Sequence, residues 1–121
     1  MKKFTELDAW KVGIELLKET YALSRKLPKE ELFGLTSQLR RSVVSILANI
    51  AEGFGRYTYA DKANKFTIAR GECNETEALM YCITAIGFVR EEDTQSALKL
   101  IDREEKLLSG LITSCRNRSK E

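Results

Sequence analysis

The 121-residue chain contains no histidine. That removes the commonest general acid–base and both the Ser–His and Cys–His pairs of nucleophilic catalysis. Its three cysteines, Cys73, Cys82 and Cys115, form no C-x-x-C pair. With no imidazole and no close thiol spacing, a four-ligand zinc site is not expected. The cysteines read as small buried hydrophobes in a reducing compartment. The chain has one proline, Pro28, so only one place where a helix is compelled to stop. No apolar run approaches the roughly 18 residues of a membrane span. The opening "MKKFTELDAW" brings Glu6 and Asp8 before any apolar segment, unlike a secretory signal, and a cytoplasmic location is the expectation. Gly53-x-Gly55 lacks both the G-x-x-x-x-G-K-[ST] pattern and a preceding strand, so it is no phosphate loop. No catalytic residue, metal or cofactor is therefore expected, and no small-molecule substrate. The chain reads as a non-enzyme.

What is present is a globular composition. Hydrophobic residues make up 43% and charged residues 31%, which excludes a disordered chain. The length suits one domain, 1–121, with a core of its own. Net charge is +2 but unevenly spread. Residues 1–70 hold 13 Lys/Arg against 8 Asp/Glu, and residues 71–121 hold 7 against 10. The halves have opposite sign, so they can attract each other or neighbouring copies.

No strand-like alternation persists, and helical periodicity occurs four times. Helix one is expected over about residues 6–26. Thr5 and Asp8 form a capping-box variant there, with Leu7, Trp10, Ile14, Leu17 and Tyr21 as the apolar face. "KLPKEELFG" is a connector with one helical turn. Helix two runs from Thr36 to Gly53 or a little beyond. Leu39, Val43, Ile46 and Ile50 make one stripe, and Val44, Leu47, Ala51 and Phe54 a second, roughly 100° away. Helix three runs from Thr58, with Asp61 as a capping signal, to Phe88. Its face is Phe66, Ala69, Cys73, Thr76, Met80 and Ile83, and Gly71 within it points to close approach of another helix. Helix four covers Glu92 to Cys115, faced by Ala97, Ile101, Leu108, Leu111 and Cys115, before a frayed polar tail. Short connectors between four such helices give an all-α, antiparallel, up-down-up-down four-helix bundle.

A polar line borders the first stripe of helix two: Gln38, Ser42, Ser45, Asn49, Glu52 and Arg56. Polar groups beside a core cost free energy unless they find partners. One reading is a hydrogen-bond network between helices or subunits, in which Asn49 and Glu52 bond to helix three or a neighbouring subunit. In that network Arg41 and Arg56 meet Glu75 or Glu77. The other reading is a nucleic-acid site built from Arg40, Arg41, Arg56, Lys62 and Lys65, with Tyr57 and Tyr59 interleaved. Gly53 reads as a point of tight packing at a helix end.

The stretch "LPKEELFGLTSQLRRSVVSILANIAEGFGR", with "IARGECNETEAL" after it, resembles the family of four-helix bundle proteins encoded in intervening sequences of 23S ribosomal RNA genes. That family includes the accessory protein of diversity-generating retroelements. The residues that carry the resemblance are Pro28, Glu31, Leu35, Gln38, Leu39, Arg40, Arg41, Ser45, Asn49, Ile50, Ala51, Glu52, Gly53, Gly55 and Arg56. On helix three they are Ala69, Gly71, Glu75 and Glu77. The resemblance implies a ring-shaped homopentamer without established enzymatic activity. It also implies a link to RNA or a nucleoprotein, which the retroelement member makes through a strongly basic surface. The present chain departs from that feature, with a net charge of only +2 and an acidic second half. The alternative is a protein-interaction module that binds no nucleic acid.

Overall fold

The computed structural model describes residues 1–120. Four helices account for most of them: α1 (Asp8–Ser24), α2 (Leu35–Gly55), α3 (Tyr59–Ile86) and α4 (Glu91–Ser119). Short 3₁₀ turns, Phe4–Glu6 and Lys29–Glu31, precede α1 and α2. No strand occurs among the described residues.

Side-chain pairs fix the direction of each neighbour. Arg40 Nε donates to Ser24 Oγ between α2 and α1, while the site of Gly13 abuts Leu47 farther along. On α2 and α3, Arg41 meets Glu75, Ser42 meets Thr76 and Glu52 meets Lys65. Arg70 lies against Ser109 and Arg118 against Tyr59 on α3 and α4. Ser96 donates to Glu19, and Lys26 reaches Asp93, between α4 and α1. Over the length of each helix pair, as from Arg41–Glu75 to Glu52–Lys65, one number rises as the other falls, so adjacent helices run antiparallel. The helices close in the order α1–α2–α3–α4, with α4 back against α1.

The helix ends follow from local chemistry. Thr5 does not cap α1: residues Phe4–Glu6 turn as a 3₁₀ helix, and Leu7 stands at the cap without a side-chain bond. Glu31 caps α2 instead, its carboxylate accepting from Leu35 N at 3.2 Å. A Cβ at Gly34 would lie 2.8 Å from that same oxygen, so glycine keeps the cap open. Thr58 caps α3 as expected, accepting from Asp61 N. α3 ends at Ile86 because Gly87 adopts φ 94°, with Phe88 N bonded back to Ile83 O. This left-handed closure suits glycine, which has no Cβ to clash. α4 extends four residues past Cys115 to Ser119, so the expected fraying of that stretch is not seen. Acidic Glu91, Glu92 and Asp93 at its start, and Arg116 and Arg118 at its end, complement the helix dipole.

The core confirms one stripe and shifts another. Leu39, Val43, Ile46 and Ile50 of α2 are fully buried, as are Ala69, Cys73, Thr76, Met80 and Ile83 of α3. α1 differs from expectation. Its core face is Ala9, Val12, Leu16, Thr20 and Leu23, whereas Trp10, Ile14, Leu17 and Tyr21 are only half-buried. The small residues Ala9 and Gly13 let α1 approach the bundle closely, and the large ones flank the contact. Gly71 is exposed, and a Cβ there would meet nothing within 4 Å, so it marks no helix crossing. Gly53 does: its Cβ would lie 2.7 Å from the Phe66 ring. On α4, Leu111 is half-buried and Ile112 takes its place in the core.

Candidate functional site

The polar line on α2 divides. Ser42 turns into the core, donates to Leu39 O and accepts from Thr76 Oγ1 at 2.9 Å. That bond joins α2 and α3 at a buried level, where an unmade hydrogen bond would be costly. Asn49 bonds within its own helix, to Ser45 O and Ser45 Oγ, rather than to α3. Its amide satisfies the preceding turn, which is why it sits beside a core without a partner across the interface. Glu52 does reach α3, pairing with Lys65 at 3.1 Å. Gln38 is exposed.

Arg41 meets Glu75 at 2.6 Å and lies 3.8 Å from Glu72. Burial, and then the neighbouring Glu75 carboxyl, raises Glu72 above the ordinary glutamate range. Glu75 is held low, first by its hydrogen bond with Glu72 and then by Arg41. Arg56 meets neither Glu75 nor Glu77. The antiparallel register carries it to the opposite end of α3, about 15 residues or ~22 Å from Arg41 along α2. Glu77 instead accepts from Tyr81 OH and sits beside Glu105, which is raised by burial and then by Glu77.

The nucleic-acid candidates divide: Arg40 and Arg41 lie against Ser24 and Glu75 in the first half of α2, whereas Arg56, Lys62 and Lys65 gather around the α2–α3 corner. Arg40 stacks over the Tyr21 ring at 4.9 Å. Lys62 donates to Phe54 O at 2.6 Å, closing the end of α2. Lys65 is engaged by Glu52. Arg56 and Tyr57 stand exposed at the α2–α3 corner, Tyr57 being 97% accessible.

Two features escaped the sequence reading. The first is an exposed apolar groove between α1 and α2. Leu17, Tyr21 and Val44 form its floor at one level, and Leu32 and Phe33 of the connector extend it. Phe33 is 94% accessible and Val44 45%. Lys18, Arg25 and Arg40 border it. Two stripes on α2 were legible, but not that Val44 of the second would be exposed while Leu47 of the same stripe is buried.

The second is Glu104. It occupies the α4 core line between Ile101 and Leu108, and it is 0% accessible. Neither carboxyl oxygen has a hydrogen-bond partner among the described residues. Oε2 fills the space that a Cβ at Gly13 would take, 2.7 Å from that position. Desolvation pushes its pKa up to about 8, and burial, then Glu104 itself, raises the Cys73 thiol on α3. The signal was present: Ala97, Ile101, 104, 108 and Cys115 share one face, and a glutamate interrupts it.

No group of three or more His, Cys, Asp or Glu among the described residues is placed to hold a metal ion. Among the described residues no helix is long and apolar enough to cross a membrane.

The chain is similar in fold to a crystal structure of a protein of unknown function from the S23 ribosomal protein family of Bacteroides thetaiotaomicron VPI-5482. The two superpose with a TM-score of 0.79 at 28% identity, over 86% of this chain and 97% of that one. No curated protein sequence matches. A family model described as 23S rRNA-intervening sequence protein matches residues 5–110. With its four-helix bundle and a match over most of its length, the chain belongs to the 23S rRNA-intervening sequence protein family.

Proposed function

We propose that this chain is a non-enzymatic helical scaffold whose copies assemble into a closed homopentameric ring. The observation that carries this reading is the α1–α2 groove. It leaves Val44 and Phe33 accessible between cationic residues on one side of the bundle. α3 exposes Ile68 and Ile86 as well, Ile86 in the half of the chain with net negative charge. Contiguous apolar surface such as that of the groove marks interaction sites. Two different complementary faces on one molecule make head-to-tail contacts, and such contacts give a ring where the rotation between copies closes.

The test is size-exclusion chromatography with light scattering on the wild type and on Val44→Glu. A ring for the wild type and a helical monomer for Val44→Glu is the expected result. A wild-type monomer, or a variant that assembles unchanged, overturns the reading.

A second reading is association with RNA or a nucleoprotein in the cytoplasm, supported by the family's description and by Arg56 and Tyr57 at the α2–α3 corner. A cation beside a fully presented aromatic ring suits an unpaired base and its phosphate. Binding to structured RNA should weaken steeply with added salt as counterions are released. Arg56→Ala with Tyr57→Ala should abolish it and leave assembly intact. Absence of binding at low ionic strength leaves the scaffold as a protein-interaction module alone.

A further inference from the structure

The Glu104 carboxyl of α4 is wholly buried, and neither oxygen has a partner among the described residues. Its Oε2 lies over Gly13 in the middle of α1, and Leu47 of α2 closes on the same spot. Cys73 faces it from α3, a thiol that burial and then Glu104 keep in the neutral form. Such a place tolerates the neutral acid, but an ionised carboxylate costs far more there than in water.

The helix that covers this carboxyl is fastened at one end. Its polar ties to other helices lie at residues 19–26: Glu19 to Ser96, Ser24 to Arg40, and Lys26 just beyond it to Asp93. Residues 8–18 make no hydrogen bond or ion pair to another helix among the described residues; Lys18 pairs only with Glu15 of its own helix. Leu7 stands at the start of α1 without a side-chain cap. A cavity of about 260 Å³ lies between that first turn and Leu107, Gly110 and Leu111 of α4. The first half of α1 is therefore held by apolar contact alone, from Ala9, Val12 and Leu16. Segments with few ties and loose packing open at a lower free energy than the whole fold.

We infer that residues 1–16 form a pH-gated flap: as pH rises, ionisation of Glu104 drives the first half of α1 off the bundle, and the carboxylate reaches water while α2, α3 and α4 stay folded. The sign follows from the two environments. The closed form holds the carboxyl at about 8, and the open form returns it to 4.5. Opening is therefore insensitive to pH below about 4.5, grows about tenfold per unit above that, and levels off past about 8. Asp8, Lys11 and Glu15 on the same half of α1 are exposed, so they keep their water when the flap opens. Glu72 and Glu105, which burial also raises, answer to Glu75 and Glu77 of α3 rather than to α1. From α2 the contact is Leu47, which carries no charge.

Amide hydrogen exchange of the full chain, followed by mass spectrometry from about pH 5 to about pH 7.5, tests this, because exchange detects an open form that is only a minor species. Rates are divided by the intrinsic exchange rate at each pH. Amides of residues 9–16 should be less protected than those of residues 39–50 and 69–83, and their protection should fall by about tenfold per pH unit. Glu104→Gln keeps the shape without the charge, and should hold that protection level across the range. Equal protection in α1 and the core, protection of residues 9–16 that does not change with pH, or a Glu104→Gln protein that keeps the wild-type slope overturns the proposal.

Discussion

Replacing Glu104 with glutamine should make the protein more stable, and the gain should grow with pH. The carboxyl is wholly buried with both oxygens unpartnered, and its pKa rises from 4.5 to about 8. The charged or titratable neighbours are few: Cys73 faces it from α3, while α1 and α2 present Gly13 and Leu47. Because the folded pKa lies above the unfolded one, the unfolded chain ionises first. Stability is therefore fully present below about pH 4.5 and is lost as pH rises towards about 8. With each pH unit worth about 1.4 kcal/mol, the loss is under about 1 kcal/mol at pH 5. It reaches about 3 at pH 7 and about 4 at pH 8. Glutamine keeps the shape, cannot ionise, and bears a similar cost for its unpartnered polar atoms. Urea denaturation followed by far-ultraviolet circular dichroism, at fixed protomer concentration, measures both proteins from pH 5 to pH 8. Subtracting the curves cancels the opposing contributions of Glu72, Glu75, Glu105 and Asp93. A difference that stays flat over this range would refute the reasoning, since it would mean that the carboxylate reaches water or a partner.

The two glycines should respond in opposite directions. Gly53→Ala drives a Cβ into the Phe66 ring and should cost about 1–3 kcal/mol by urea titration. Gly71→Ala, in open space on an exposed helix face, should add up to about 1 kcal/mol. Arg41→Ala should cost less than about 1 kcal/mol in high salt, because its ion pair with Glu75 is half-exposed. A thiol reagent should label Cys82 rapidly in the folded protein and reach Cys73 and Cys115 only on unfolding. Cys82 is exposed, whereas the other two are buried with raised thiol pKa values. Labelling of all three at one rate would contradict that burial.

Much of this fold is legible along the chain, and the exceptions have physical causes. The apolar lines of α2 and α3 recur at 3.6-residue spacing, so their burial follows from the pattern. α1 misleads because its core face mixes Leu16 and Leu23 with the small residues Ala9 and Gly13 and a threonine, while Trp10, Leu17 and Tyr21 dominate any hydrophobicity reading. Hydrophobicity weighs side-chain size, but close approach of two helices selects for the lack of it. Glu104 is hidden for a related reason. A glutamate on a helix reads as surface, and only the absence of a side chain at Gly13, distant in sequence, makes room for it inside. The pairing of Arg41 with Glu75, but not of Arg56, depends on an antiparallel register that residue types alone leave open.

The sequence by itself determines four helices, their order, the main apolar stripes and the family. Each is a matter of local periodicity, capping chemistry or motif. Tertiary structure alone decides that Val44 of the second α2 stripe is left accessible while Leu47 is buried, and that a carboxyl is lodged unpartnered in the core. Those outcomes depend on the mutual rotation and register of helices far apart in the chain. Rotation and register are set by how small residues such as Gly13 and Gly53 let the helices approach.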